Sequence, residues 1–556
     1  LIIADYLNNN DILDLTASDV LMGLDMVMRV RRQSFLETRE RLVRESMGDL
    51  VAPQEHLEVE LVQSQDGSVQ VDIEEPRMPE PTKLAEPEAS LITSANDTDR
   101  ENSKVRVRQT LSPSDKQEVY LMAEAAHFVV FAQAAYTWVS YFLEFPITGF
   151  FRMPYHILRQ CMCCFRSLKT DHIKGDYFWR THSTALELIS GLAPQDIIYA
   201  SYYDRSDAIP YFIALDHDWK SVVISIRGTM TLESVVSDIN CVPHELTEMG
   251  EECGFDGNGL FCHRGILHSV VWLYEDLKSH GKLAQAMKDY HSYRLRVVGH
   301  SLGAGVASIL SVLLHPQYPN LRCLAFSPPG CTMSENLAEA VSEHTYSYIV
   351  DDDIIARMSI EGFEELRDSV LDMICRVKIP KYQVGRQAKK HDLLTAEGVS
   401  QSINETLYDA EKIKNSAFKE QVEEFWSFQA KLRDERNYVK LCLPGSIVHL
   451  FRTRINQSSI RMFDVGMLVG ASEDHRKSDS EQNSEQSRRY TARWANRKDF
   501  EKIEISSHML LDHSPIAVKN RIQAAAVEQF GLNENCLLEE LEESERREMK
   551  SRFYAN

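Results

Sequence analysis

Short apolar runs alternate with a long amphipathic stretch through the middle of the chain. Ser221-Val-Val-Ile-Ser-Ile226, Leu295-Arg-Val-Val298, Leu321-Arg-Cys-Leu-Ala-Phe326 and Thr345-Tyr-Ser-Tyr-Ile-Val350 are too short for buried helices, and they predict buried strands. Between the second and third, Val306, Ala307, Ile309, Leu310, Val312 and Leu313 recur at helical spacing. Two more strands are predicted, one around His449 and one over Phe500-Glu-Lys-Ile-Glu-Ile505. Strands alternating with helices predict an α/β fold with a mostly parallel central sheet flanked by helices.

Elsewhere the pattern changes. Ala17 to Leu42 is amphipathic, and Ala123 to Phe151 is aromatic-rich but interrupted by Glu124, His127, Glu144 and Pro146. The latter predicts either a helix lying on a membrane interface or one packed on the core. Residues 51–100 hold 12 Asp or Glu, 3 Lys or Arg, five prolines and no aromatic, too little apolar surface to offset ordering. Ser472 to Arg489 is a second polar, serine-rich stretch.

The apolar run ending at Val298 breaks into Gly299-His-Ser-Leu-Gly303. A G-x-S-x-G between a strand and a helix predicts a nucleophile elbow, with Ser301 exposed over the N-terminus of the next helix. Arg227-Gly-Thr229, at the end of the preceding predicted strand, supplies Thr229, and the elbow supplies the N–H of Leu302. Together they predict a two-donor oxyanion hole. The strand at Thr345–Val350 ends in Asp351-Asp352-Asp353, where such a fold keeps the acid that orients its histidine. The residues alone leave the choice among the three open. Of the candidate bases, His513 precedes a helix start at Ser514-Pro515 and comes last in the order Ser, Asp, His. His449 is expected to face a neighbouring strand, and His508 to sit on a loop surface. From Asp353 to His513 is 160 positions, far more than a connection needs, which predicts an insertion. Within it, Leu407, Ile413, Phe418, Val422, Phe425, Trp426 and Leu432 form a possible apolar stripe. That helix either covers the core or acts as a regulatory lid.

The set Ile226-Arg-Gly-Thr229, Asp238, Gly299-His-Ser-Leu-Gly303, Phe326-Ser-Pro-Pro-Gly330, Asp353-Ile-Ile-Ala-Arg357 and His513-Ser-Pro515 resembles the fungal-type (class 3) lipases of the α/β-hydrolases. More narrowly, Ser327-Pro-Pro-Gly330 and the Ala125–Tyr136 segment resemble the sn-1-specific diacylglycerol lipases of the beta type. The resemblance covers about residues 120 to 360 and 440 to 530. It implies Ser301 as nucleophile, Asp353 as acid, His513 as base, and Thr229 with Leu302 as oxyanion donors. Ala356 departs from the proline that the family shows there. The implied reaction is hydrolysis of the sn-1 ester of diacylglycerol to 2-monoacylglycerol. Triacylglycerol lipase or phospholipase A1 activity, or a non-catalytic lipid-binding scaffold, are the alternatives. No cofactor or metal is expected to be required, while calcium stimulation is implied by the family. So is an N-terminal block of membrane-spanning helices absent from this sequence.

At 43% hydrophobic and 26% charged, the 556 residues suit one large globular domain with extensions. The net charge of −22 argues against nucleic acid as a partner. No run of about 20 residues is apolar enough to predict a span; the expected partner is a lipid substrate at a membrane surface, met from the cytoplasmic side. The 11 cysteines suggest no disulfide framework. Cys161, Cys163 and Cys164, beside the aromatic segment and flanked by Arg159 and Arg166, suit S-palmitoylation or stay unmodified. The expected organisation is an amphipathic helical segment (1–50), an acidic disordered linker (51–117), the first part of the lipase core (118–360), the helical insertion (361–438), the second part of the core (439–535, with a disordered loop at 472–489) and a charged tail (536–556).

Overall fold

The computed structural model describes residues 17–48, 110–163, 172–176, 180–205, 208–229, 242–391, 393, 395–409, 417–435, 439–454, 488–506 and 508–532. Among these, nine strands form one sheet in chain order. They are β1 (Ile173–Lys174), β2 (Ile197–Ser201), β3 (Tyr211–Asp216), β4 (Ser221–Ile226), β5 (Arg294–His300), β6 (Arg322–Phe326), β7 (Thr345–Val350), β8 (Ser446–Arg454) and β9 (Arg488–Ala495). Strands β4 to β8 pair in parallel, whereas β3 pairs antiparallel with both β2 and β4, and β9 antiparallel with β8. A smaller four-stranded sheet joins Pro243–Glu245, Phe261–His263, Met333–Ser334 and Leu441–Cys442.

The helices used below are α1 (Ala17–Gly48), α2 (Lys116–Ala134), α3 (Thr137–Glu144), α4 (Gly149–Cys163), α5 (Thr181–Ser190), α6 (Arg264–His280), α7 (Leu302–Leu314), α8 (Ile360–Arg376), α9 (Lys381–Lys390), α10 (Ala396–Thr406), α11 (Ala417–Glu435) and α12 (Pro515–Phe530). Alternation along each central strand divides the core into two layers. Val222, Ile224, Val297, Cys323 and Ala325 face α6 and α7, and Val223, Val298, Leu324, Phe326, Tyr348 and Val350 face α2 and α12. Each fully buried aliphatic side chain contributes about 1.5–3 kcal/mol, so both faces are held firmly.

The Ala123–Phe151 segment divides at Tyr136 into a buried helix and a more exposed stretch. Helix α2 is a core helix: Leu121, Met122, Ala125, Phe128, Val129 and Ala132 are all buried. Its buried acid, Glu124, lies between Arg296 Nε at 2.6 Å and Arg322 Nη1 at 2.7 Å. Burial alone would raise this carboxyl, but the two guanidinium groups override it and hold it below the usual range. At Tyr136 the chain bends by 111° into α3. There, in the following turn and in α4, Trp138, Leu143, Ile147, Phe150, Phe151 and Tyr155 are exposed while Tyr141, Met153 and Ile157 point inward. Among the described residues no single helix is long and apolar enough to cross a membrane.

The expected insertion is helical, comprising α8 to α11. It packs against α1 through Met26, Val27, Leu366, Val370, Met373, Val399 and Ile403, and through Val20, Leu371, Val422 and Phe425. The N-terminal helix and the insertion therefore share one apolar core. That core also holds Ile503, so it rests on the segment leading to His513.

Three expectations need correction. Phe500–Ile505 is not a strand: among the described residues it pairs with no strand, Phe500 ends a 3₁₀ turn, and Ile503 packs into the helical insertion. The linker expected over 51–117 ends earlier, because Thr110 bridges to Arg493, Leu111 is buried, and Asp115 caps α2 by accepting from the Gln117 N–H. The loop expected over 472–489 stops before Arg488, where pairing with Arg454 begins β9. The rest of that loop, residues 51–109 of the linker, Asp238, Ile413, Cys164 and the 536–556 tail lie outside the described residues, as do the side chains of Cys161, Cys163 and Phe418.

Candidate active site

Parallel strands place their C-terminal ends at one edge, and the site assembles there. Ser301 follows β5 with φ 60° and ψ −130°, outside the regions favoured by side-chain-bearing residues, and it is buried rather than exposed as the elbow motif predicts. The turn is possible because a Cβ on Gly303 would lie 2.3 Å from the Ile226 carbonyl oxygen and one on Gly299 2.2 Å from that of Gly303. Only glycine permits both approaches. Helix α7 starts at Leu302, so the first N–H groups beside Ser301 have no acceptor within the helix.

Beside the elbow, β4 ends at Ile226 and leads into Gly228 and Thr229. A Cβ on Gly228 would come within 3.0 Å of Ser301 Cβ, which places Thr229 next to the nucleophile. Arg227 holds this turn, with Nε donating to the Gly228 carbonyl at 3.2 Å and the guanidinium paired with Asp204. The Thr229 hydroxyl is buried without a hydrogen-bond partner among the described residues. An unsatisfied buried donor is costly unless it serves a ligand or transition state.

His513 sits in the loop entering α12, where Pro515 takes the first helical turn. Its Nε2 lies 2.8 Å from Ser301 Oγ, and its Nδ1 lies 3.0 and 3.1 Å from the two Asp353 oxygens. The carboxylate therefore fixes the proton on Nδ1 and leaves the Nε2 lone pair toward the serine. Asp353 is fully buried. Burial pushes its carboxyl up, yet the His513 charge and the hydrogen bonds from His513 and the Ile355 N–H bring it below the usual range. The three expected catalytic side chains are thus brought together, from three separate loops.

The neighbouring aspartates do different work. Asp351 accepts from Arg452 Nε at 3.0 Å and from the Arg452 N–H at 3.1 Å. Asp512, immediately before the base and fully buried, lies 2.6 Å from Arg521 Nη1 and accepts from the Asp352 N–H at 3.3 Å. Arg521 also approaches Asp351 at 3.4 Å, so one ionic cluster ties the acid loop to the base loop. Sequence reasoning missed Asp512, Arg452 and Arg521; the position of Asp512 next to His513 was the only local signal. His449 is buried, its Nε2 donating to the Asp351 carbonyl at 2.9 Å, and burial lowers its pKa to about 4. His508 is exposed. Ala356, where the resemblance leads one to expect proline, lies buried in a 3₁₀ turn over Ile355–Arg357 that begins two residues after Asp353.

Comparison with known proteins places this geometry. Residues 223–363 match the class 3 lipases. The chain carries a class 3 lipase domain. Over 419 residues it is 29% identical to mouse diacylglycerol lipase-beta, covering 73% of this chain and 57% of that protein. Over 441 residues it is 27% identical to human diacylglycerol lipase-alpha, covering 77% of this chain and 38% of that protein. The chain thus spans between about four-tenths and six-tenths of these relatives' length. A crystal structure of an MDLA variant from Penicillium cyclopium is 19% identical, with a TM-score of 0.30, covering 42% of this chain and 72% of that one. The class 3 lipase domain contains Thr229, Ser301, Leu302 and Asp353, whereas His513 lies beyond it, across the helical insertion.

Proposed function

We propose that this protein is a serine lipase hydrolysing the sn-1 ester of diacylglycerol, yielding 2-monoacylglycerol, such as 2-arachidonoylglycerol, and a free fatty acid. The observation that carries the reading is the His513 imidazole bridging Ser301 Oγ and the buried Asp353 carboxylate. Ser301 Oγ attacks the ester carbonyl while His513 Nε2 takes its proton, and Asp353 stabilises the imidazolium. The Thr229 hydroxyl and main-chain N–H and the Leu302 N–H receive the oxyanion. His513 then protonates the departing glyceride oxygen, leaving an acyl-serine. Water, deprotonated by the same nitrogen, releases the fatty acid and restores Ser301.

The reaction takes place at a membrane surface, with the catalytic domain on the cytoplasmic side. Two features support this. Six large apolar side chains of α3, α4 and the turn between them are exposed, Phe151 at 76%, in a segment that begins one residue after Tyr136, close to the site. Six described cysteines, Cys253, Cys262, Cys323, Cys331, Cys375 and Cys442, carry free thiols, as a reducing compartment requires. S-palmitoylation of Cys161, Cys163 and Cys164 would reinforce attachment, and a hydroxylamine-sensitive mass increase at these residues tests it. Among the described residues no group of three or more His, Cys, Asp or Glu is arranged to hold an ion, so calcium stimulation is assigned no step. Through its contacts with Ile503 and Ile505, the insertion regulates the site by way of the His513 loop; deletion of 361–436 raises turnover of a short soluble ester if this lid restrains the base.

The deciding experiment offers 1-stearoyl-2-arachidonoyl-glycerol beside phosphatidylcholine and triacylglycerol and resolves products by mass. Dominant 2-arachidonoylglycerol and stearate support the reading. Faster attack on phosphatidylcholine points to phospholipase A1, faster attack on triacylglycerol to a triacylglycerol lipase, and no turnover of any ester to a scaffold.

A further inference from the structure

A second imidazole stands beside the catalytic one. The rings of His300 and His513 are 4.8 Å apart between centroids, and His300 is buried at the middle of the elbow motif. Its Nε2 lies 2.9 Å from the main-chain carbonyl oxygen of His513, and its Nδ1 lies 2.8 Å from the Tyr136 hydroxyl. A carbonyl only accepts, so Nε2 must carry a proton and donate it. If the ring is neutral, Nδ1 is an acceptor and the Tyr136 O–H donates to it. Burial keeps both groups in these forms: it lowers the His300 pKa to about 3 and raises the Tyr136 hydroxyl well above its ordinary value. A neutral ring here matters because His513 becomes cationic during turnover, and a second cation at this distance would oppose it.

The His513 carbonyl has no other partner in its own loop: α12 begins at Pro515, and the Ser514 carbonyl takes the first N–H, that of Val518. We propose that Tyr136 and His300 are positioning residues, a two-bond strut from the α2–α3 bend to the backbone of the catalytic base that sets the reach of His513 to Ser301. This rests on the serine-hydrolase reading above. Tyr136 lies outside the matched lipase region at 223–363, so the strut enlists a segment that the lipase domain alone does not supply. It also joins the base to the bend that opens the exposed apolar helices α3 and α4.

The test is steady-state hydrolysis of a soluble short-chain ester by the full chain, with melting temperature and fluorophosphonate labelling rate measured in parallel. His300→Gln retains a side-chain N–H donor for the His513 carbonyl, whereas His300→Leu has none. His300→Leu is expected to lower kcat and the labelling rate about 100-fold with KM within about threefold, the scale of a misplaced base. His300→Gln is expected to recover at least tenfold of that loss, and Tyr136→Phe to lose about tenfold in kcat. Equal losses in His300→Leu and His300→Gln, or wild-type kcat in folded His300→Leu, overturn the proposal. If the wild type neither labels nor turns over ester, the hydrolase reading fails instead. The strut is then judged by hydrogen exchange of the Ser514 backbone amide, which shares a peptide unit with the His513 carbonyl and donates to the Leu511 carbonyl at 3.0 Å: faster exchange in His300→Leu but not His300→Gln supports it, and unchanged exchange in both refutes it.

Discussion

Replacing Asp353 with asparagine probes the site with almost no change of shape. In the wild type both carboxylate oxygens face His513 Nδ1, at 3.0 and 3.1 Å, and Oδ1 also accepts from the Ile355 N–H at 2.9 Å. The amide oxygen of asparagine must keep the Oδ1 position, since Ile355 needs an acceptor. The NH₂ group then takes the Oδ2 position against Nδ1, where two donors would meet. The imidazole relieves the clash by moving its proton to Nε2, and the lone pair that takes the Ser301 proton disappears. What remains also lacks the charge that stabilises an imidazolium. In a triad of this kind the change costs roughly 10⁴ in kcat, or ~5.5 kcal/mol of barrier. KM should hold within a fewfold, because Asp353 is fully buried behind the histidine. The assay is kcat and KM for a short soluble ester at pH 7 to 9, with urea midpoints confirming the fold. A loss below tenfold in kcat would refute the assignment of Asp353.

Other expectations follow from the same contacts. Thr229→Val removes a buried hydroxyl that has no partner among the described residues but keeps the main-chain N–H, and should lower kcat by roughly 10² with KM little changed; Thr229→Ser should stay near wild type, and equal behaviour of the two would remove the hydroxyl from the oxyanion hole. Glu124→Leu strands Arg296, itself buried, and should cost about 3–5 kcal/mol in urea unfolding, while a cost under about 1 kcal/mol would contradict a tight buried pair. Burial pushes the imidazoles of His300 and His449 down to about 3 and about 4, against about 6.5 for a free imidazole. Because these are depressed, the unfolded chain takes the proton first as pH falls. Their contribution is complete above about pH 6.5 and fades towards pH 4 and below, costing ~2 kcal/mol per histidine at pH 5. Urea midpoints at pH 7 and 5 measure this, and no loss would place both rings nearer water than the structure has them.

Much of the core was legible because parallel strands buried on both faces read as continuous apolar runs. The runs at 221–226, 295–298, 321–326 and 345–350 each became a central strand. The elbow was legible because its glycines are required by local backbone geometry. Ala123–Phe151 was ambiguous because a helix buried all round and one meeting lipid share a composition, and only the 111° bend at Tyr136 separates core helix from exposed helices. Phe500–Ile505 misled because alternation says nothing about whether a neighbouring strand exists. The choice of Asp353 among three aspartates was settled by burial and by Arg452 and Arg521, groups some 100 to 170 positions away. Tyr136 escaped notice for the same reason: its partner is 164 residues downstream.

Nucleophilic attack by Ser301 is tested most directly by intact-mass analysis after brief exposure to a fluorophosphonate, with the adduct mapped by peptide. The account predicts a single adduct on Ser301, none in Ser301→Ala, and loss of diacylglycerol hydrolysis with it. An adduct elsewhere, or hydrolysis that survives in Ser301→Ala, would contradict it.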